Sequence, residues 1–319
     1  MTLSADAQAP DSGAEQGMTI VARTQAQMVR RRFFRHRAAL AGMIVFGLVL
    51  VLAFTSVGFA GIPGWWDQSY ITTGALVNQG KPTLSLAPFT IGEHPFGQDD
   101  IGVDYFAKTM RGAQQSLIVA FLVGIVATVV GAVVGAVAGY YRGRVEAVLM
   151  RVTDVMITIP VLVIAAVLGR RFGDAGVVPL GIVLGLTIWP TMARLLRGEF
   201  LSLREKEFVE AARAIGTPAR RIIFRHILPN TIGVIVVSAT LATANAVLLE
   251  SALSFLGLGV QAPDTSLGQL IQEYRTAFST RPWLFWWPGI FIIAIALSIN
   301  FIGDGLRDAF DPRQTRVRA

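Results

Sequence analysis

Residues 112–141 read GAQQSLIVAFLVGIVATVVGAVVGAVAGYY, thirty consecutive positions without Asp, Glu, Lys or Arg. A helix that crosses the hydrocarbon core of a bilayer needs about 20 mostly apolar residues, so this stretch is long enough to span a membrane alone. Gly131, Gly135 and Gly139 recur within it at four-residue spacing, with Gly124 further back. That spacing places small residues on one helix face, where they let a neighbouring helix approach closely. Tyr140 and Tyr141 close the stretch as anchors at the water interface.

Working outward, the same criterion finds five more spans: 38–66, 155–169, 175–193, 226–249 and 282–303. The expected fold is therefore an all-α membrane protein with six transmembrane helices. The composition agrees, with 53% of the 319 residues hydrophobic and only 15% charged, where about 25% charged is usual for soluble domains. The third span is short unless its helix begins near Ala147, which takes Arg151 and Asp154 into one end. Those two side chains stand at i and i+3, where they can pair or snorkel. Trp283, Trp286 and Trp287 open the last span at interfacial positions.

The formal charge is +7, which by itself admits nucleic acid, anionic lipid or membrane topology as its reason. Placement decides between them. With the N-terminus cytoplasmic, the inner segments hold six, three, eight and four Lys and Arg, 21 of the 28 in the chain. Positively charged loops resist translocation, so the excess is spent on orientation and both termini are expected inside. Arg170 and Arg171, in a short outer loop, run against the bias. The first span is too long for the apolar part of a cleaved signal peptide, which runs to about 15 residues.

The expected organisation is then a disordered tail at 1–29, a basic juxtamembrane segment at 30–37, span one with its flank at 38–66 and an external loop at 67–111. A permease core at 112–303 contains a cytoplasmic hairpin at 200–229, and a cytoplasmic tail follows at 304–319. Of the ionisable residues in the spans, Asp154 and Glu250 both lie near helix ends. Glu250 is open to hydration there, and both have either a translocation role or a role in bundle structure. No chain of acids for a proton relay is visible.

The hairpin reads REKEFVEAARAIGTPARRIIFRHILP at 204–229. Phe208, Ala211, Ala212 and Ile215 fall at i, i+3, i+4 and i+7, the stripe of an amphipathic helix. Gly216 suits the position just past its end, and Thr217 with Pro218 reads as the cap and first residue of a second helix. Ala219, Ile222, Ile223 and Ile227 stripe that second helix until Pro229 stops it. Two short helices about a glycine turn, rich in arginine, have the outline of a DNA-binding helix-turn-helix. Membrane spans on both sides hold this pair against the bilayer, where it can pack on a cytoplasmic partner and pass that partner's movement to the spans, or simply lie on the lipid surface.

At these residues the chain resembles a known family. Glu210-Ala211-Ala212, Gly216 and Leu228-Pro229 match the EAA loop of the membrane subunits of ABC importers, and RHILPN at 225–230 is the form found in the peptide branch. FGQDDIGVD at 96–104 is similar to that family's FGTDxxGRD, departing at Gln98 and Val103. Asp154 with Pro160, Trp189-Pro190, Ala193-Arg194, Glu250 with LSFLGLG at 253–259, and NFIGDGLRDAFDP at 300–312 also fit. Leu267 replaces the tryptophan of the family's SWG. The resemblance is closest to the second membrane subunit of dipeptide and oligopeptide importers. It implies the type I importer permease fold, a homologous membrane subunit forming a heterodimer, two cytoplasmic ATPase subunits that bind ATP and Mg, and an external solute-binding protein. It also implies that the hairpin is a coupling helix docked on an ATPase through Glu210, Ala211, Ala212 and Gly216, with Arg220, Arg221 and Pro229 beside them. The branch also handles nickel, haem, glutathione and oligosaccharides.

No catalytic site of the chain's own is expected. There is no cysteine and only three histidines, which excludes disulfides and Cys-based metal or nucleophile chemistry. The sole Gly-Lys, at Gly80-Lys81, is spaced wrongly from Gly74 for a phosphate-binding loop and is followed by Pro82 instead of Ser or Thr. No cofactor or metal is expected on this chain, and no nucleic acid. The competing readings are a stand-alone secondary transporter, which would favour inverted repeats or several buried acids, and a membrane-tethered regulator that uses the hairpin on DNA.

Overall fold

A computed structural model describes residues 25–311; the ends of both tails, including residues 1–24 of the first, lie outside the described residues. A short helix α1 (Gln25–Phe33) turns into α2 (Arg37–Ser56). A cap segment with a two-stranded antiparallel hairpin, β1 (Ser85–Leu86) and β2 (Phe89–Thr90), leads to α3 (Tyr105–Tyr141). Next come α4 (Gly143–Thr158), α5 (Val161–Phe172), α6 (Val177–Arg204) and α7 (Glu207–Ala214). The long helix α8 (Ala219–Phe255), the short α9 (Leu267–Glu273) and α10 (Trp283–Phe310) complete the chain.

Five of these helices, α2, α3, α6, α8 and α10, are long and apolar enough to cross a membrane, and the pair α4 and α5 makes a sixth candidate bent by 84°. α3 is the centre of the bundle. Asp104 caps its start by accepting from Ala107 N at 2.8 Å, and its 37 residues extend about 55 Å at 1.5 Å per residue. The most extensive packing in the molecule is between α3 and α6, while α10 packs on α2 and α8.

The α3–α6 contact is a seam of small against large residues that changes hand half-way. Toward the cap, Leu122 and Val126 of α3 fill the space left by Gly181 and Gly185 of α6, where an added Cβ would meet their Cβ atoms at 2.8 and 2.6 Å. Toward the other end the glycines are on α3. A Cβ on Gly131 would lie 2.6 Å from Met192 Cβ, on Gly135 2.5 Å from the Ala193 carbonyl oxygen, and on Gly139 2.6 Å from Phe200 Cβ. Gly124 instead faces Thr243 of α8. In lipid such close approach is what favours helix association, because apolar side chains gain nothing by leaving hydrocarbon.

The helices of the second, fourth and last spans outrun the expected bounds, with α3 beginning at Tyr105 and α6 and α10 running on to Arg204 and Phe310, into the stretch expected as a tail. The other three differ in course. The first ends at Ser56, ten residues early, because 58–66 fold back: Trp65 N and Trp66 N donate to the Thr55 and Ser56 carbonyls. The third is not one helix. Before Pro160, Ile159 is extended, φ −84° and ψ 126°, the geometry that a following proline ring favours by crowding the helical region, and the chain bends there. The fifth begins earlier, at Ala219, and Pro229 does not stop it. A π-helical stretch, Ile222–Ile227, precedes the proline, with Leu228 N donating to Ile223 O. The wider turn relieves the clash that a proline ring makes with the carbonyl four residues back.

Candidate functional site

The hairpin between α6 and α8 is built as a rigid projection. α7 ends in a Schellman turn: Gly216 N donates to Arg213 O at 2.9 Å and Thr217 N to Ala212 O at 3.1 Å, with Gly216 at φ +76°. A residue with a Cβ resists that left-handed geometry. Pro218, extended at φ −66° and ψ 146°, is the cap of α8, its carbonyl accepting from Arg221 and Ile222. Thr217 therefore stands one position before the cap that its sequence suggests.

Beneath the turn, Val209 and Ala212 of α7 are buried with Ile222, Ile223 and Ile227 of α8, Phe200 of α6 and Ala136 of α3. This small core ties the hairpin to three long helices at once. Arg204 adds a bond to the Tyr140 carbonyl, and the guanidiniums of Arg204 and Arg213 both lie 5.6 Å from the Tyr140 ring. A movement of α7 must be shared with α3, α6 and α8, because close-packed interiors transmit strain.

The expected apolar stripe of α7 is split by this packing. Ala212 faces inward, whereas Phe208, Ala211 and Ile215 are exposed, Ile215 to 82%. Val209, not Phe208, is the anchor. Glu210, Gly216, Arg220, Arg221 and Pro229 are exposed as well. Beyond the turn, Pro218, Arg220, Arg221, Phe224 and Arg225 line a shallow hollow of about 460 Å³. The surface thus offers apolar side chains, the Glu207 and Glu210 carboxylates and a run of guanidiniums around a fixed turn, a combination suited to protein docking. Among the described residues there is no cluster of His, Cys, Asp or Glu that could hold a metal.

The two acids singled out in the spans have different surroundings. Asp154, half exposed on α4, accepts from Arg194 of α6 at 2.5 Å. Its partner is thus on another helix and not Arg151, because the bend at Pro160 lays α4 against α6. Glu250 is fully buried and so not hydrated. Its carboxylate accepts from Ser116 Oγ at 2.8 Å and Ser254 Oγ at 2.7 Å, and Ser116 Oγ in turn accepts from Leu267 N at 3.2 Å. One carboxylate joins α3, α8 and the start of α9. Helix-end position alone could not reveal this, since the chain from 257 to 282 folds back over that end.

The cap contains buried polar groups gathered around Asp99 and Asp104 of the 96–104 string. Asp104 accepts from Trp66 Nε1 at 2.9 Å and contacts His94 Nδ1 at 2.7 Å. Asp99, also fully buried, accepts from Val103 N at 2.8 Å and the Tyr274 hydroxyl at 3.1 Å, and Lys108 bridges Tyr274 to Glu273. Burial, with the charges of Glu273 and Asp99, pushes the Tyr274 phenol far above its usual range, so it stays a hydrogen-bond donor. The available signal was Asp104 directly before Tyr105-Phe106-Ala107 and eight residues ahead of the charge-free run, the pattern of a helix cap.

Comparison with known proteins gives concordant results. Residues 131–316 match the family described as binding-protein-dependent transport system inner membrane component, and residues 24–72 match the N-terminal TM domain of oligopeptide transport permease C. The oligopeptide transport system permease protein OppC of Escherichia coli K12 is 39% identical over 93% of this chain and 94% of its own length. OppC of Haemophilus influenzae is 36% identical over 93% and 91%. Among solved structures, a chain of the MetNI methionine ABC transporter in inward-facing conformations aligns with TM-score 0.52 and 20% identity, over 63% of this chain and 95% of that one. That likeness is one of fold alone. With motifs, helix architecture and relatives in agreement, the chain belongs to the inner-membrane components of binding-protein-dependent transport systems.

Proposed function

We propose that this chain is one of two homologous membrane subunits of an ATP-driven importer that takes short peptides from an external solute-binding protein. The observation that carries the reading is the hairpin: a turn pinned by a buried core to α3, α6 and α8, with Phe208, Ala211, Ile215 and the arginines turned outward. A cytoplasmic ATPase subunit seated there binds ATP and Mg, and closure of two such subunits moves the hairpins as rigid bodies. The spans then switch between inward and outward openings. The excess of Lys and Arg at the hairpin end supports a cytoplasmic hairpin, with Gln25 and Asp311 on the same side and the 57–104 cap outside. Glu210, Ala211, Gly216, Arg220 and Arg221 form the docking face in this reading. Ala212, buried with Val209, supports it from beneath.

The peptide assignment draws on the substrate named for the OppC relatives. It is tested by reconstituting the complete importer, measuring ATP-dependent uptake of labelled di- to pentapeptides, and identifying by mass spectrometry the ligand carried by the cognate binding protein. Peptide uptake that stops without ATP is the expected result. Uptake by this chain alone, driven by an ion gradient, overturns the assignment.

A further inference from the structure

The N-terminal elbow carries a second surface, unrelated to the hairpin. α2 has 20 residues, about 30 Å at 1.5 Å per residue, which equals the hydrocarbon thickness of a bilayer. Arg37, its first residue, therefore stands at the edge of the core, and α1 with the turn at 34–36 lies at headgroup level. α1 has two faces. Val29, Arg32, Phe33 and His36 are partly buried and turn toward the end of α10. There Arg32 Nη1 donates to Asp311 O at 2.9 Å, His36 Nε2 is 3.4 Å from Asp308, and Phe33 lies against Gly305.

The opposite row is exposed, with Arg30, Arg31 and Phe34 at i, i+1 and i+4, and Met28, Arg35 and Arg37 flank it. Phe34 is 54% and Met28 41% exposed. None of Arg30, Arg31, Arg35 and Arg37 is paired with a carboxylate among the described residues. Four free guanidiniums and two apolar side chains on one exposed side, at this depth, match an anionic membrane interface. Guanidinium forks bind phosphate oxygens in two-point fashion, and the apolar side chains enter the upper acyl region.

We propose that α1 and the elbow form a binding surface for the headgroups of anionic phospholipids, with Arg30, Arg31, Arg35 and Arg37 on the phosphates and Phe34 and Met28 among the first acyl carbons. The lipid clamps α1 and, through Arg32 and His36, the end of α10. This rests on the membrane-spanning reading of α2 but on neither transport nor sidedness.

The chain has no cysteine, so Met28→Cys carrying an environment-sensitive fluorophore reports on α1 alone. The full chain is placed in nanodiscs of phosphatidylcholine with or without phosphatidylglycerol. A blue shift, with quenching by brominated acyl chains, is expected only with phosphatidylglycerol. Each cation near an anionic surface strengthens attachment by about fivefold, so replacing all four arginines by Gln should abolish the shift, and replacing them by Lys, which keeps the charge but loses the fork, should retain part of it. An equal shift in both lipids, or a shift that survives the Gln variant, overturns the proposal. Loss in both Gln and Lys variants assigns the effect to disturbed packing on α10 and overturns it too. A lipid-dependent shift in a chain whose complete reconstituted importer shows no ATP-dependent peptide uptake upholds the site and tells against the importer reading alone.

Discussion

Gly216→Val isolates the turn of the hairpin from everything else in the molecule. Gly216 has φ +76°, and nothing in this chain lies within 4 Å of the position a Cβ would take, so within the chain the cost of substitution is confined to the backbone, and Gly216→Asn serves as the control for a side chain on the docking face. Holding an L-residue in the left-handed region costs about 1–2 kcal/mol, with β-branched valine at the upper end. The principal anchor of α7 is the fully buried Val209, worth roughly 1.5–3 kcal/mol. Strain and anchor are thus of one size. A cost of about 2 kcal/mol shifts the balance between seated and released α7 by about thirtyfold, toward equal populations, and leaves the helix packing at the α3–α6 seam untouched. The complex should assemble and hydrolyse ATP while uptake per ATP falls by half or more. Gly216→Asn, which tolerates this geometry, should stay near wild type, and Gly216→Ala should fall between. Uptake and phosphate release measured in the same proteoliposomes give the ratio. A wild-type ratio for the valine variant, or failure of Asn and Val alike, would refute the argument.

Further outcomes follow from the same geometry. Ala211→Trp, on an exposed position, should leave the chain folded but lose the ATPase subunit on co-purification, whereas Ala212→Trp should disrupt the hairpin core and lower thermal stability. Gly135→Val places a Cβ 2.5 Å from the Ala193 carbonyl and should cost about 1–3 kcal/mol or more in detergent unfolding; Gly198→Ala, on α6 with open space around it, should be neutral or stabilising by up to about 1 kcal/mol, and equal effects at both sites would contradict the seam. Glu250→Ala leaves the Ser116 and Ser254 hydroxyls without their acceptor, costing about 1–3 kcal/mol for each orphaned group, while Glu250→Gln keeps an acceptor and should cost less in the same unfolding measurement.

Composition and spacing were enough to reveal the membrane class, the approximate spans, the glycine turn and the motif at 204–229. These properties are local: a run of apolar residues declares itself within about 20 positions, and a positive-φ glycine within four. Tertiary structure decided which side of each helix is used. Phe208 and Val209 are both apolar and one residue apart, so periodicity cannot choose between them; the positions of Ile222, Ile223 and Phe200 do. Asp154 had a plausible partner on its own helix, and only the bend at Pro160 brings Arg194 to it. Glu250 is near a helix end in sequence but dry in the fold, because α9 covers it through Ser116. Pro229 read as a stop, yet a π-helical turn just before it carries the helix through. The sequence by itself determined that the chain carries membrane-spanning helices and where the glycine turn of the 204–229 hairpin lies. Which faces are buried and which carboxylates are paired depended on neighbours distant in the chain, which only packing in three dimensions can supply.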